Sequence, residues 1–484
     1  MFFDRIKKGA LALLTFIGIL SAYPGYSQKI WTLEDCINYA LDNNLDIQRQ
    51  LLSVETYKAS LLQSKLGMLP NLNANATNVW NFGQTIDMYT NTFATNTVRS
   101  NNFYLQADVT IFSGLQKFNA VKQNQLNLLA SKYNLDVIKN DISLSVAGFY
   151  LDILFSYELL DVAKGQLSIT KDQVVRIHKM VEAGASAKGD LLNIQAQQSA
   201  EELIVIEAEN RLTIASLSLQ QLIDLPVSRD FRIDKPELKA VEAPKELVTP
   251  EIIFEHALKT RPEIKSAEMN VKSAQKYVAI MRGSITPTLS FGGSWGTGYS
   301  GAAKEIDPTI PPVIKPYNLG ITQISRDTVL GYDVERSTRT TSFSDQMRQN
   351  ENQSLGFYLS VPIFNGWQGR TAISKAKILQ HQAEVDLDIR TRDLRKLIEQ
   401  AYADAVASLK KFNSSQQKVK AQEESFKYTS QKFDVGMMTS FDYNNSKKDL
   451  TKAQSDLLQA KYDFIFKTTI LDFYSGNPIS ITQK

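Results

Sequence analysis

Residues 103–114 read Phe-Tyr-Leu-Gln-Ala-Asp-Val-Thr-Ile-Phe-Ser-Gly, and residues 355–366 read Leu-Gly-Phe-Tyr-Leu-Ser-Val-Pro-Ile-Phe-Asn-Gly. The two stretches share Val109/Val361, Ile111/Ile363, Phe112/Phe364 and Gly114/Gly366 at a constant spacing of 252 residues. In the first, Phe103, Leu105, Ala107, Val109 and Ile111 alternate with Tyr104, Gln106, Asp108 and Thr110. An apolar face opposite a polar one over about ten residues fits a strand of a transmembrane barrel, and equally a half-buried soluble sheet.

Working outward, the spacing of 252 continues through Tyr150/Tyr402, Asp152/Asp404, Gly184/Gly436, Asp190/Asp442, Asn193/Asn445 and Pro226/Pro478. Upstream, Thr32/Thr249, Glu34/Glu251, Ala40/Ala257, Leu41/Leu258, Ile47/Ile264 and Pro70/Pro287 match at 217 instead. The chain is therefore written twice, with a 35-residue insertion in the second copy (252 minus 217). Each copy is one large supersecondary unit, packed beside its twin around a common axis.

Each copy reads helix, strand, strand, very long helix, turn, helix. The first repeat, 28–229, opens with a helix from Leu33 to Leu66 that stops near Gly67 and Pro70, since proline cannot continue the helical ladder. Strands at 71–80 and 102–113, a long helix at 117–182 and a helix at 187–223 follow. A connection at 230–249, with Pro236 and Pro244, leads to the second repeat, 250–484. Its first helix ends near Gly283 and Pro287, with strands at 288–299 and 354–364, a long helix at 368–433 and a helix at 440–474. Residues 301–353, rich in Gly, Pro, Ser and Thr, are expected to form a long surface loop.

Val146, Ile153, Leu160, Leu167, Val174 and Val181 fall seven apart, as do Ile398, Ala405, Phe412, Val419, Phe426 and Phe433. Sustained heptads mean coiled-coil packing. A helix of about 66 residues is a rod of roughly 100 Å, so its stripe needs neighbours along its whole length. The helices before the strands and after the long helices, each about half as long, supply them.

Residues 1–27 carry Arg5, Lys7 and Lys8, an apolar run Ala10–Leu20, and small residues Gly25 and Ser27. That is the layout of a secretory signal peptide cut at Ser27/Gln28, and its apolar run is too short to span a bilayer. Its removal takes the formal net charge from +3 to +1, since it holds three basic residues and one acidic one. Nothing in that balance points to a nucleic-acid partner. The lone Cys36 cannot form an internal disulfide and reads as a small core residue. Past the signal peptide no stretch reads as a spanning helix of about 20 apolar residues, so any membrane crossing falls to the strands. His178, His256 and His381 stand far apart on predicted helices, without metal-ligand spacing. No catalytic constellation, metal site or cofactor is expected, and the chain does not read as an enzyme.

Four strands cannot close a barrel, and open edges in lipid leave backbone groups unsatisfied. Two chains would supply eight strands and three would supply twelve. Eight leave an interior filled by side chains, so a channel favours three or more chains.

With its duplicated order of elements, the chain resembles the TolC-like outer-membrane efflux protein family. Thr-Ile-Phe-Ser-Gly at 110–114 and Pro-Ile-Phe-Asn-Gly at 362–366 carry the resemblance. So do Ala183-Gly184 followed by Asp190, and Val435-Gly436 followed by Asp442. The resemblance implies a mainly α fold with a membrane β-barrel: a homotrimer with a shared twelve-stranded barrel in outer-membrane lipid and a coiled-coil helical tunnel in the periplasm. It implies an exit duct for an inner-membrane RND, ABC or MFS transporter, joined through a periplasmic adaptor (membrane fusion) protein. The rival reading, a periplasmic coiled-coil scaffold without a pore, has no need of four alternating strands.

Read as bare residues, Gly184 and Gly436 are left-handed helix terminators, and Asp190 and Asp442 are first-turn carboxylates or N-caps. The resemblance adds adaptor docking at the tips (Gly184, Val435, Gly436) and a periplasmic aperture formed by Asp190, Asp442, Asn445, Phe433 and Met438. Asn445 stands where the family has a second aperture aspartate, and Phe433 and Met438 where it has a latching tyrosine and arginine. The family's polar latch is thus absent or rebuilt, and apolar contacts are expected to hold the gate. Tyr104, Gln106 and Asp108 are expected to face the barrel lumen, with Leu105 and Ala107 toward lipid.

Overall fold

The computed structural model describes residues 29–94, 97–227, 231–236 and 248–479; the expected signal peptide, 1–27, lies outside them, as does much of the 230–249 connection. The chain divides into two compact units. Among the described residues, one comprises those within 29–56, 129–269 and 384–479, the other those within 57–128 and 270–383.

The first unit is helical. Strand β1 (Ile30–Trp31) leads into α1 (Leu33–Asn43), where Thr32 and Asp35 form a reciprocal capping box. The expected single helix over 33–66 is broken. Asn44 leaves the helix, and its Oδ1 accepts from the Asp46 N–H at 2.9 Å and the Ile47 N–H at 3.3 Å to start α2 (Leu45–Leu66). The second copy breaks at the equivalent place by other means. There Pro262 begins α6 (Pro262–Gly283) directly after α5 (Pro250–Thr260). The long helices are α3 (Gln116–Glu182) and α8 (Gln368–Asp434), and the returning helices are α4 (Lys188–Leu222) and α9 (Ser440–Tyr474).

Matching residues build separate cores. Cys36, Ala40, Val146, Tyr150 and Ile153 are buried in one; their counterparts Ile253, Ala257, Ile398 and Ala405 are buried in the other, with Tyr402 packed against it. Burial pushes the Cys36 thiol up to about 12. The first core also holds β1 and its parallel partner β6 (Arg232–Ile233), joined to α3 by the Tyr150 hydroxyl. Contrary to the sequence reading, α3 does contain a stretch apolar enough for a membrane span. Its apolar residues between Val146 and Phe155 line the first core, which accounts for the composition.

The second unit carries one four-stranded antiparallel sheet of order β12-β7-β5-β2. Its members are β2 (Asn71–Asn81), β5 (Val98–Ser113), β7 (Thr288–Ser300) and β12 (Asn352–Ser360). Two-residue strands β3 (Thr85–Ile86) and β4 (Phe93–Ala94) pair within the β2–β5 connection. Two expectations change here. Ile111 is a bulge in β5, so Phe112, not Ile111, pairs with Leu289. And β12 stops at Ser360 rather than reaching 364, because Pro362 has no N–H to give a ladder.

The largest correction concerns 301–353, which is folded rather than a plain loop. It contains β8 (Lys304–Ile306) paired with β11 (Thr338–Thr340), and β9 (Val313–Ile321) paired with β10 (Thr328–Glu335). A short helix, α7 (Phe343–Gln349), follows. Pro316 inside β9 and the register shift at Val329/Leu330 hide the alternation from a sequence reading. A buried polar cluster fixes the base of this insertion. Asp87 Oδ2 accepts from Ser300 Oγ at 2.5 Å; the Gln346 amide accepts from the Ser300 N–H at 2.8 Å and donates to the carbonyls of Ser300 and Thr341.

Candidate functional site

Two regions can act on something outside the chain: the sheet and the tips of the long hairpins. In the sheet, paired residues of an antiparallel ladder point to the same side. The register aligns Asn73 with Gln106, Ser294 and Ser354, and Asn75 with Tyr104, Gly296 and Asn352. Asp108 joins this face opposite Asn71 and Gly292. The other face aligns Leu72 with Ala107, Gly293 and Leu355, Ala74 with Leu105 and Trp295, and Val109 with Phe291 and Phe357. One side of the sheet is thus polar and the other apolar. The apolar side is bare in this chain, with Leu72, Leu355, Phe357 and Leu359 each at least 67% exposed. Among the described residues, β2 and β12 each have one partner only, which leaves two free edges.

The tips are two matched turns. Gly184 has φ +72° and Gly436 φ +74°. Each closes its long helix with the same pair of bonds. The Gly184 N–H donates to the Val181 carbonyl and the Ala185 N–H to the Met180 carbonyl; Gly436 to Phe433 and Met437 to Lys432 repeat the pattern. This double bond is the Schellman closure, which needs a left-handed residue after the helix. Around the second turn Val435, Met437 and Phe441 are 69%, 80% and 70% exposed, an apolar tip with nothing from this chain over it.

The two matched aspartates do different work. Asp442 serves its own helix: its N–H donates to Thr439 Oγ1 at 3.2 Å, and that hydroxyl donates back to Asp442 Oδ2 at 2.7 Å. The position equivalent to Thr439 is Ala187, which cannot cap. Asp190 instead accepts from Ser186 Oγ at 3.0 Å and, across to the other hairpin, from Ser440 Oγ at 3.1 Å.

More polar ties join the hairpins. Arg176 on α3 pairs with Asp434 on α8 at 2.6 Å, both half-exposed. Gln173 Nε2 donates to the Tyr443 hydroxyl at 2.8 Å. Tyr443 lies between Phe426 and Phe433, with ring centroids at 5.3 and 4.8 Å. Burial, with Asp434 and Glu201 nearby, pushes its phenol up to about 12. Phe433 therefore packs inside its own hairpin, while Asn445 is exposed and Met438 half-buried. Within one chain, near the tips, polar contacts tie the hairpins, while farther along Phe155 of α3 packs against Tyr462 of α9 with ring centroids at 6.0 Å. Arg176, Gln173 and Tyr443 were missed because no repeat match marks them. Deeper still, Lys447 on α9 reaches Glu201 on α4 at 3.1 Å. Burial pushes the Lys447 ammonium down, and the Glu201 carboxylate opposes that.

Among the described residues no group of three or more His, Cys, Asp or Glu side chains is placed to hold a metal ion. What the two regions offer is a sheet with one polar and one exposed apolar face, and two matched turns, the second with exposed apolar side chains.

Comparison with known proteins places this arrangement. The alkaline protease secretion protein AprF of Pseudomonas aeruginosa is 21% identical over 75% of this chain and 66% of its own length. The chain thus spans about two thirds of that relative. Among solved structures, CusC superimposes with a TM-score of 0.73 at 16% identity, covering 95% of this chain and 96% of CusC. The Campylobacter jejuni CmeC outer membrane channel gives 0.72 at 16% identity, over 93% and 87%. Residues 36–224 and 253–476 match the outer membrane efflux protein family, one segment in each repeat, and the chain belongs to that family.

Proposed function

We propose that three copies of this chain form an outer-membrane duct through which an inner-membrane transporter expels its cargo. The carrying observation is the sheet: one apolar face, one polar face and two unpaired edges. Such a sheet is unsatisfied alone in lipid, and pairing β12 of one copy with β2 of the next completes every ladder. Three copies close a twelve-stranded barrel with Tyr104, Gln106 and Asp108 toward the lumen and Leu105 and Ala107 toward lipid. The same symmetry brings six long hairpins into a tube.

The tips at Gly184, Val435 and Gly436 then form its periplasmic mouth, where a periplasmic adaptor docks on the exposed apolar side chains. An RND, ABC or MFS transporter would supply the cargo. Asp442 and Asn445, both exposed, ring the aperture and favour cations. Asp190, Arg176 and Asp434 tie the neighbouring hairpins of each chain, with Phe433 and Met438 filling in beside them.

The test uses the full chain purified from outer membranes and reconstituted in planar bilayers. A cation-selective conducting trimer is expected, with selectivity reduced in Asp442→Ala. A monomer without conductance would refute the duct and leave a periplasmic scaffold; a conducting trimer with unchanged selectivity in Asp442→Ala would refute the ring alone.

A further inference from the structure

Among the described residues Lys447 is the one buried lysine, 3% exposed. Its Nζ donates to Glu201 Oε1 at 3.1 Å and Oε2 at 3.3 Å, to the Gln166 carbonyl at 2.9 Å, and to Thr170 Oγ1. Glu201 also accepts from Thr170 Oγ1 at 2.5 Å and from Gln197 Nε2 at 2.9 Å. One ammonium and one carboxylate are thus saturated by three helices: α3 (Gln166, Thr170), α4 (Gln197, Glu201) and α9 (Lys447). A buried pair of this kind adds little net stability, but pulling its members apart strands a charge away from water. It therefore resists separation far more than half-exposed ties such as Arg176–Asp434.

The cluster exists at only one of two equivalent seams. At the repeat spacing of 252, Lys447 corresponds to Gln195, Glu201 to Ala453 and Thr170 to Gln422. Where α9 meets the α3/α4 hairpin of its own chain, the seam carries a buried ion pair. In the ring proposed above, the equivalent seam lies between α4 and the α8/α9 hairpin of the adjacent copy, and with Gln195 and Ala453 at the matching positions it would hold no ion pair.

We propose that Lys447 is a positioning residue that bolts the two hairpins of one chain together, so that the tube opens between chains rather than within one. The proposal rests on the trimeric duct described above and adds which seam moves. Asp190 and Arg176 lie nearer the tips, so the segment beyond Lys447 can still rearrange when an adaptor docks.

The first arm of the test freezes the bolted seam. The Gln166 and Gln454 amides touch at 3.3 Å across α3 and α9. In Gln166→Cys/Gln454→Cys the two thiols are joined in cells by a short bis-methanethiosulfonate; Cys36 is fully buried and does not compete. Export in a deletion strain carrying this variant is expected to be unchanged by the link. Loss of export on linking, regained with reductant, would overturn the proposal. The second arm removes the bolt while keeping its volume, in Lys447→Met/Glu201→Leu. Trimer yield is expected to hold and resting conductance in planar bilayers to rise several-fold; unaltered conductance would overturn the proposal. A wild-type protein that neither conducts nor restores export would refute the duct instead.

Discussion

Tyr150→Phe removes one oxygen from the first core without changing its shape, and its effect follows from the hydrogen bonds. The side chain is 1% exposed. Its hydroxyl donates to the Asp234 carbonyl at 2.8 Å and, at 3.3 Å, lies within reach of the Trp31 carbonyl. The Trp31 carbonyl also receives the Asp234 N–H at 2.8 Å, so it keeps a donor after the substitution. The Asp234 carbonyl loses its strong one. Leaving one partly buried acceptor short costs about 1–2 kcal/mol, roughly a tenfold shift in an opening equilibrium. The loss should be local, because what the hydroxyl secures is the β1/β6 ribbon rather than the helix that carries it. Hydrogen exchange read by mass spectrometry should therefore speed up about tenfold in peptides covering Ile30–Trp31 and Arg232–Ile233. Peptides within α3 should change little. The control is Tyr402→Phe, whose ring packs against the second core at the equivalent position; it should cost less than about 0.5 kcal/mol. Unchanged exchange in Tyr150→Phe, or the same acceleration in the two variants, would refute the reasoning.

Two further outcomes are expected. Gly114 and Gly366 have matching φ values, +60° and +61°. A Cβ at Gly114 would stand 2.7 Å from the Cα and carbonyl oxygen of Gly283, whereas at Gly366 it meets nothing within 4 Å in this chain. Gly366→Ala should thus cost only left-handed strain, about 1–2 kcal/mol, and Gly114→Ala distinctly more, read as loss of melting temperature of the purified protein. Equal losses would refute this difference in crowding at the two glycines. The second concerns acid. Burial opposes charge on Asp87, yet hydrogen bonds from Ser300, Thr90 and Tyr89 outweigh it and hold the carboxyl below its ordinary 3.8. Such a group stabilises the fold above that value, and the contribution is lost as pH falls through the lower folded value. Protease access to α7 should therefore rise below about pH 4 in the wild type, while Asp87→Asn should be open already at neutral pH with no such step. An unchanged acid profile in the variant would count against this.

Much of the molecule was legible in its sequence because periodic patterns report the local backbone and the face it buries. The heptads through Val146 and Ile398 marked the long helices, and the alternation from Phe103 to Val109 marked β5 and its two faces. The shared Gly184 and Gly436 fixed where the hairpins turn, since a left-handed residue is a local requirement. The duplication itself revealed the family's architecture, and even the cores repeat, Cys36 matching Ile253 and Ala40 matching Ala257.

What only the tertiary structure decided is where the two copies stop being equivalent. Asp190 and Asp442 look alike in sequence, yet one bridges hairpins and the other is held by the N-cap of its own helix, because Thr439 bonds Asp442 while Ala187 has no hydroxyl to offer Asp190. Folded strands within 301–353 were hidden by Pro316 and a register shift, which interrupt the period of two on which strand reading depends. Lys447 and Glu201 are separated by 246 residues and belong to different repeats. A charge on a helix reads locally as a solvated face; only the packing of α9 against α3 and α4 takes both charges out of water. The repeat determines the scaffold through local geometry, and the asymmetry that would govern opening arises from long-range contacts that no local period encodes.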